Sequence, residues 1–150
     1  MSVSYDVFTN AFLSKITEYD LLTMEKENQT LLVDNYMFQA LNNSSFKKVC
    51  QYDFTDKDDT RRIFNLNIPE EDVFEISDIV SECMLIYWLK PYVYKQELLE
   101  NILNTKDFSV YSPAELLLRV GNTYAKAQKD YINMVREYSY NHGDLSELHI

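Results

Sequence analysis

The side chains with the best claim to chemistry are four carboxylates, Glu71, Glu75, Asp78 and Glu82, which recur at helical spacing. Placed on one face of a helix, such a row could ligate metal ions inside a bundle. Carboxylate-bridged sites of that kind also draw on a Glu-x-x-His pair, and neither histidine here has an acid three residues before it. The row reads as a solvated face. Asp53, Asp56, Asp58 and Asp59 crowd a short segment that superficially resembles a calcium loop. An EF-hand loop needs glycine at its sixth place and a bidentate glutamate at its twelfth, and no register supplies both, so the segment reads as a polar hairpin tip. His142 and His149 both fall at the C-terminal end, where a nucleophile–base pair would have to be built on a tail. Cys50 and Cys83 read as small buried hydrophobes. No Walker loop, dinucleotide fingerprint, zinc spacing or nucleophile elbow occurs. The expectation is a protein that is not an enzyme, with no cofactor and no metal.

Charge narrows the partners. Fourteen basic against twenty-four acidic residues give a formal net charge of −10. A free-standing nucleic-acid binder normally carries the opposite sign, because its affinity comes from basic groups on phosphates. An acidic surface suits solubility, a basic partner, or a passage that nucleic acid must cross without sticking. Two basic groups remain, Lys47 and Lys48 with Arg61 and Arg62, and Lys126, Lys129 and Arg136. Isolated surface charges account for both; the alternative use is pairing with an acidic face of a neighbouring subunit. The first residues have no basic segment followed by an apolar core, so no signal peptide is expected. The longest apolar run, Cys83 to Leu89, is too short to span a bilayer. Two lone cysteines make no disulfide framework, and a cytosolic product with free thiols is expected.

The elements that must position these residues are mainly helical. Residues 1–150 should form one domain, with residues 141–150 as a C-terminal tail, and 46% apolar residues are enough for a core. Ser4 can cap a first helix over Tyr5 to Ile16, with Tyr5, Phe8, Phe12 and Ile16 as its apolar stripe. Thr17 to Met24 is a connector carrying Tyr19, Leu21 and Leu22. A second helix runs from about Glu27 to Asn42, and Asn42 to Ser45 break it. From Phe46 the period becomes two. Phe46 to Phe54 and Arg62 to Ile68 flank a polar loop, which predicts a β-hairpin, with helix as the competing assignment. Such a hairpin must lean on helices or on another chain.

The central stretch, Pro69 to Leu103, starts with a proline and two acids suited to a first helical turn. Its middle, Cys83 to Leu89, is apolar all round, so it must be buried inside its own fold or against neighbouring copies. Pro91 lacks an N–H for residue 87, which predicts a bend or restart there, before an amphipathic segment from Tyr92 to Leu103. After a loop anchored by Phe108, Ser112, Pro113 and Glu115 spell a capped helix start. That helix carries Leu117, Val120, Tyr124, Ala127, Tyr131, Met134 and Tyr138 in steps of three and four, the pattern of a packing seam. Gly121 within it suggests close helix approach, and Gly143 a left-handed cap.

Four stretches, DVFTNAFLSKITEYDLL from Asp6, the Phe46 to Asn67 region, EEDVFEISDIVSECMLIYWLKP from Glu70, and KDFSVYSPAELL from Lys106, together resemble the small head–tail connector (neck or adaptor) proteins of tailed bacteriophages. At the position of Cys83 the family leads one to expect a small residue, often glycine. The resemblance implies a helical bundle with a hairpin or extended arm, a structural virion protein of the neck assembled in the host cytoplasm. About twelve copies would close by heterologous contacts into a ring beneath the portal protein. The ring would also meet tail or tail-completion proteins and surround DNA held only as non-specific cargo, with no membrane partner. On that reading the interface candidates are Trp88, Phe54, Phe64, Arg61, Arg62, Tyr138, Leu145, Leu148 and Ile150. The channel-facing candidates are Glu71, Glu75, Asp78 and Glu82. The competing reading is an acidic mimic of DNA that inhibits a basic host or phage protein.

Overall fold

The computed structural model describes residues 2–17, 26–94 and 113–142. Among them are five helices and one small antiparallel sheet. In chain order they are β1 (Val3–Ser4), α1 (Tyr5–Thr17), α2 (Lys26–Leu41), α3 (Ser44–Val49), β2 (Lys57–Asp58), β3 (Ile63–Phe64), α4 (Glu70–Tyr94) and α5 (Pro113–His142). The fold is therefore a helical bundle with a β element. The connector at Thr17 to Met24, the segment beyond Tyr94, the Phe108 loop and the Ser112 cap lie outside the described residues. So do Gly143 and the tail from residue 143 onward.

Local chemistry sets the helix starts. The Ser4 hydroxyl accepts from the Asp6 amide at 3.1 Å, so α1 is capped where its sequence indicated. α4 begins at Glu70, with Glu70, Glu71 and Asp72 in its first turn against the positive end of the helix dipole. It packs against α1, α2 and α5 at once. Being covered from three sides, it buries Ile76, Ile79, Val80, Cys83, Met84, Leu85, Trp88 and Leu89. Ser77 and Ser81, buried on the same helix, donate to the carbonyls of Phe74 and Asp78 and so keep their hydroxyls satisfied. The all-apolar run is thus largely buried within its own fold, with Ile86 and Tyr87 half-buried. α4 also continues through Pro91 to Tyr94, so the helix does not restart there. Pro91 is exposed and sits in the final turn, so the missing amide leaves only the Tyr87 carbonyl without its helical donor and the ring lies on the solvent side.

The hairpin exists, with its second strand inside the predicted Arg62 to Ile68 run and its first strand displaced from Phe46 to Phe54 into the loop at Lys57–Asp58. Its strands are β2 and β3, with Lys57 opposite Phe64 and Asp58 opposite Ile63, and β1 pairs along the other edge of β3. The expected first strand instead begins as a helix. The Asn43 side chain accepts from the Ser45 amide at 3.0 Å and caps Ser44–Val49, which buries Phe46. From Cys50 to Thr55 the period of two is real, since Cys50, Tyr52 and Phe54 are half-buried and Gln51, Asp53 and Thr55 exposed. That segment is extended chain resting on the core without a ladder partner. The acidic tip closes the turn, as the Asp58 carboxylate accepts from the amides of Thr60 and Arg61 at 3.0 and 3.2 Å.

In α5, Val120, Ala127, Tyr131, Val135 and Tyr138 are buried, and Tyr124 and Met134 pack partly against the same core. The seam is the one the three-and-four steps indicate, and it faces α4. Gly121 does not mark a close approach: a methyl group built there meets nothing within 4 Å.

Candidate functional site

Three polar nodes hold the bundle, and each uses residues whose charge could otherwise have served a site. The first is Arg62, in the left-handed region at φ 55° at the end of the hairpin turn. Its Nε and NH2 donate to both oxygens of Asp34 on α2 at 3.0 and 2.6 Å, and NH1 donates to Asp6 on α1 at 2.7 Å. Its carbonyl accepts from the Tyr5 amide at 2.9 Å. The two-pronged contact with Asp34 pushes the guanidinium pKa upward. Arg62 is therefore spent inside the chain, contrary to its expected interface role. Arg61 is exposed, with Asp58 3.8 Å away.

The second node is Lys15 on α1, whose ammonium lies 2.8 Å from Glu82 and 2.9 Å from Asp78. Two of the four candidate channel acids are thus neutralised within the bundle, and Glu82 is buried rather than solvated. A lysine stem can lie along apolar surface while its head reaches such a carboxylate. Glu71 is exposed and Glu75 half-buried. The third node is Asn43, which accepts from the Tyr131 hydroxyl at 2.9 Å and donates to the Tyr87 hydroxyl at 3.0 Å. One amide thereby caps α3 and ties α4 to α5. Beside it, burial pushes the Cys83 thiol up to about 11. Desolvation also raises Cys50 and Tyr131, so neither thiol is activated as a nucleophile.

The apolar interface candidates mostly fill the chain's own core. Trp88 is 5% exposed and meets Phe12 edge-to-face, with ring centroids 6.0 Å apart. Phe64 and Tyr138 are fully buried, and half-buried Phe54 stacks edge-on against Phe8 and Phe64. These four complete the interior of one molecule, because aromatic rings from the hairpin and the helices meet there. Leu145, Leu148 and Ile150 lie outside the described residues. An open groove of about 610 Å³ runs between Phe38, Leu41, Phe46, Cys50, Tyr52 and Phe54. One side of it is apolar and the other polar, with Lys47, Asp53 and Lys57 at its edge, and burial pushes the Cys50 thiol pKa up. Among the described residues no cluster of His, Cys, Asp and Glu could hold a metal ion, and no helix is long and apolar enough to cross a membrane.

What the bundle leaves outside is more telling. Leu31 on α2 is 73% exposed, Phe74 on α4 is 67% exposed, and on α5 Leu118, Ile132 and Tyr140 are 64%, 49% and 70% exposed. On α4, Glu70 and Glu71 stand one turn before Phe74 and Asp78 one turn after it. On α5, Lys129 and Arg136 stand on either side of Ile132, both exposed. Sequence reasoning put Leu118, Ile132 and Tyr140 on no surface. The available signal was their return on the side of the helix opposite the Val120–Tyr138 seam. No family model, curated protein or solved structure matches this chain.

Proposed function

We propose that the chain is a structural subunit of a tailed-phage neck, a head–tail connector that docks beneath the portal and encircles the DNA channel as a closed ring of about twelve copies. The observation that carries this reading is the set of large apolar side chains left outside two long helices whose inner faces are already filled. A chain that has completed its own core and still presents Phe74, Leu118, Ile132 and Tyr140 is equipped to associate. The resemblance of four segments to connector proteins supplies the setting. The net charge of −10 is compatible with DNA sliding past without being retained. The role asks for rigid surfaces rather than a reaction centre, and nodes such as Arg62 and Asn43 supply rigidity.

The test is native mass spectrometry and negative-stain microscopy of the purified chain, alone and with a portal protein. Rings, formed alone or on the portal, are the expected result. A chain that stays monomeric and never docks to the portal refutes the proposal.

A further inference from the structure

Resting on the reading that copies of this chain associate, we infer that the Phe74 face of α4 in one copy docks on the outer face of α5 in the next. At about 100° per residue, Leu118, Ile132 and Tyr140 fall within about 80° of one another around α5, and Lys129 and Arg136 fall inside the same arc. The arc points away from the seam of Val120, Ala127, Tyr131 and Tyr138 that packs on α4. It is an apolar stripe studded with bases; the acids Asp130 and Glu137 sit to one side, about 100–120° from Leu118.

The Phe74 face is its complement. Phe74 projects beside Glu70 and Glu71, an apolar anchor flanked by acids, while Asp78 one turn on is already paired with Lys15. Among the described residues neither Glu70 nor Glu71 forms an ion pair, and neither do Lys129 and Arg136. Among the described residues both sets of charge are thus open to a partner. The two faces also lie on opposite sides of the molecule. Phe74 is about 180° around α4 from Cys83, and Cys83 is the residue of α4 that neighbours Tyr131 of α5. One chain thus carries an acidic-apolar face and a basic-apolar face pointing in different directions, so each copy supplies both halves of the contact. A contact between unlike faces is heterologous, and it closes into a ring when the rotation from copy to copy divides a full turn. On a chain of net charge −10, bases set within the docking face offset the repulsion between copies. Glu71 then faces a neighbouring subunit rather than a channel.

The test uses the full chain and two substitutions at exposed positions, Phe74→Lys and Ile132→Glu, with folding verified by circular dichroism and urea unfolding. Sedimentation velocity and native mass spectrometry read assembly. Each variant alone should associate at least about 10-fold more weakly than the parent, as expected for an anchor turned into a like charge. Mixed in equal amounts they should form one-to-one heterodimers and go no further, because the intact face of each meets its complement on the other and the two faces left over are both spoiled. Parent assembly should also weaken as salt rises. If the folded variants assemble like the parent, or the mixture stays dissociated, the assigned faces are wrong while self-association stands. A parent chain that is monomeric both alone and with portal removes the underlying reading as well.

Discussion

Arg62 gives the sharpest test of how this fold is held. Its guanidinium grips Asp34 with two prongs, and the Asp34 side chain is only 15% exposed. Replacing Arg62 with alanine leaves that carboxylate without its counter-charge in a poorly solvated place, at a cost of about 3 kcal/mol. The backbone works in the opposite sense. Arg62 sits at φ 55°, a conformation that costs a residue with a Cβ roughly 1 kcal/mol and glycine almost nothing. Arg62→Gly should therefore destabilise by about 2 kcal/mol, less than Arg62→Ala. Arg62→Lys keeps the charge and loses the fork, and should fall nearer the parent than either. In urea unfolding followed by far-UV circular dichroism, the order should be parent, lysine, glycine, alanine. For a domain of this size about 3 kcal/mol lowers the melting temperature by roughly 6–12 °C. A double-mutant cycle with Asp34→Ala should give a coupling of at least about 1.5 kcal/mol. If Arg62→Gly is as stable as the parent, the clamp is an ordinary screened surface pair and the reasoning fails.

Lys15→Met should cost about 3 kcal/mol, because buried Glu82 loses its counter-charge, and Lys15→Met combined with Glu82→Leu should recover most of the loss in urea unfolding. If the double variant is no better than the single one, the pair is not what couples α1 to α4. Gly121→Ala should stabilise by about 1 kcal/mol, since the site is helical and open; a lower urea midpoint would reveal a hidden contact. Alkaline pH should unfold the protein in two stages. Burial raises Cys83 from 9.0 to about 11 and also raises Tyr5, Tyr131 and Tyr138, so the fold prefers the neutral forms. Unfolded chains then lose protons first. Stability is complete below pH 9 and falls as pH rises towards about 11, with Cys83 contributing about 1.4 kcal/mol per pH unit in that window and the tyrosines adding from about pH 10. Cys83→Ala should shrink the first stage to the share left by Cys50, which burial also raises, and a urea midpoint that is constant from pH 8 to about 10.5 would contradict the cause assigned here.

Much of the architecture is legible from residue types alone. The start of α1 follows from Ser4, whose hydroxyl caps the Asp6 amide, and the inner face of α5 follows from steps of three and four that bury Val120, Ala127, Tyr131 and Tyr138. Both are decided by neighbours within a turn of helix, so spacing suffices to read them. The hairpin shows where that reasoning stops. Alternation from Phe46 to Phe54 marked a half-buried extended chain, but Asn43 capped its first part into a helix and β1 occupied one edge of β3. A period of two reports which side of a chain is covered; it does not report what the backbone bonds to.

The polar residues were decided almost wholly by the tertiary fold. Glu82 and Asp78 stand in a row that spacing assigns to solvent, yet Lys15, on another helix, takes both. Arg62 looks like a free surface charge until α1 and α2 bring Asp6 and Asp34 to it. Trp88, the most conspicuous apolar side chain of α4, is claimed by Phe12 of α1, while Phe74, seated among acids, is left outside. Helical and apolar character is local and written in composition and period. The choice of which charge is neutralised and which aromatic stays exposed depends on segments distant in sequence meeting in space, and only the packed bundle makes that choice.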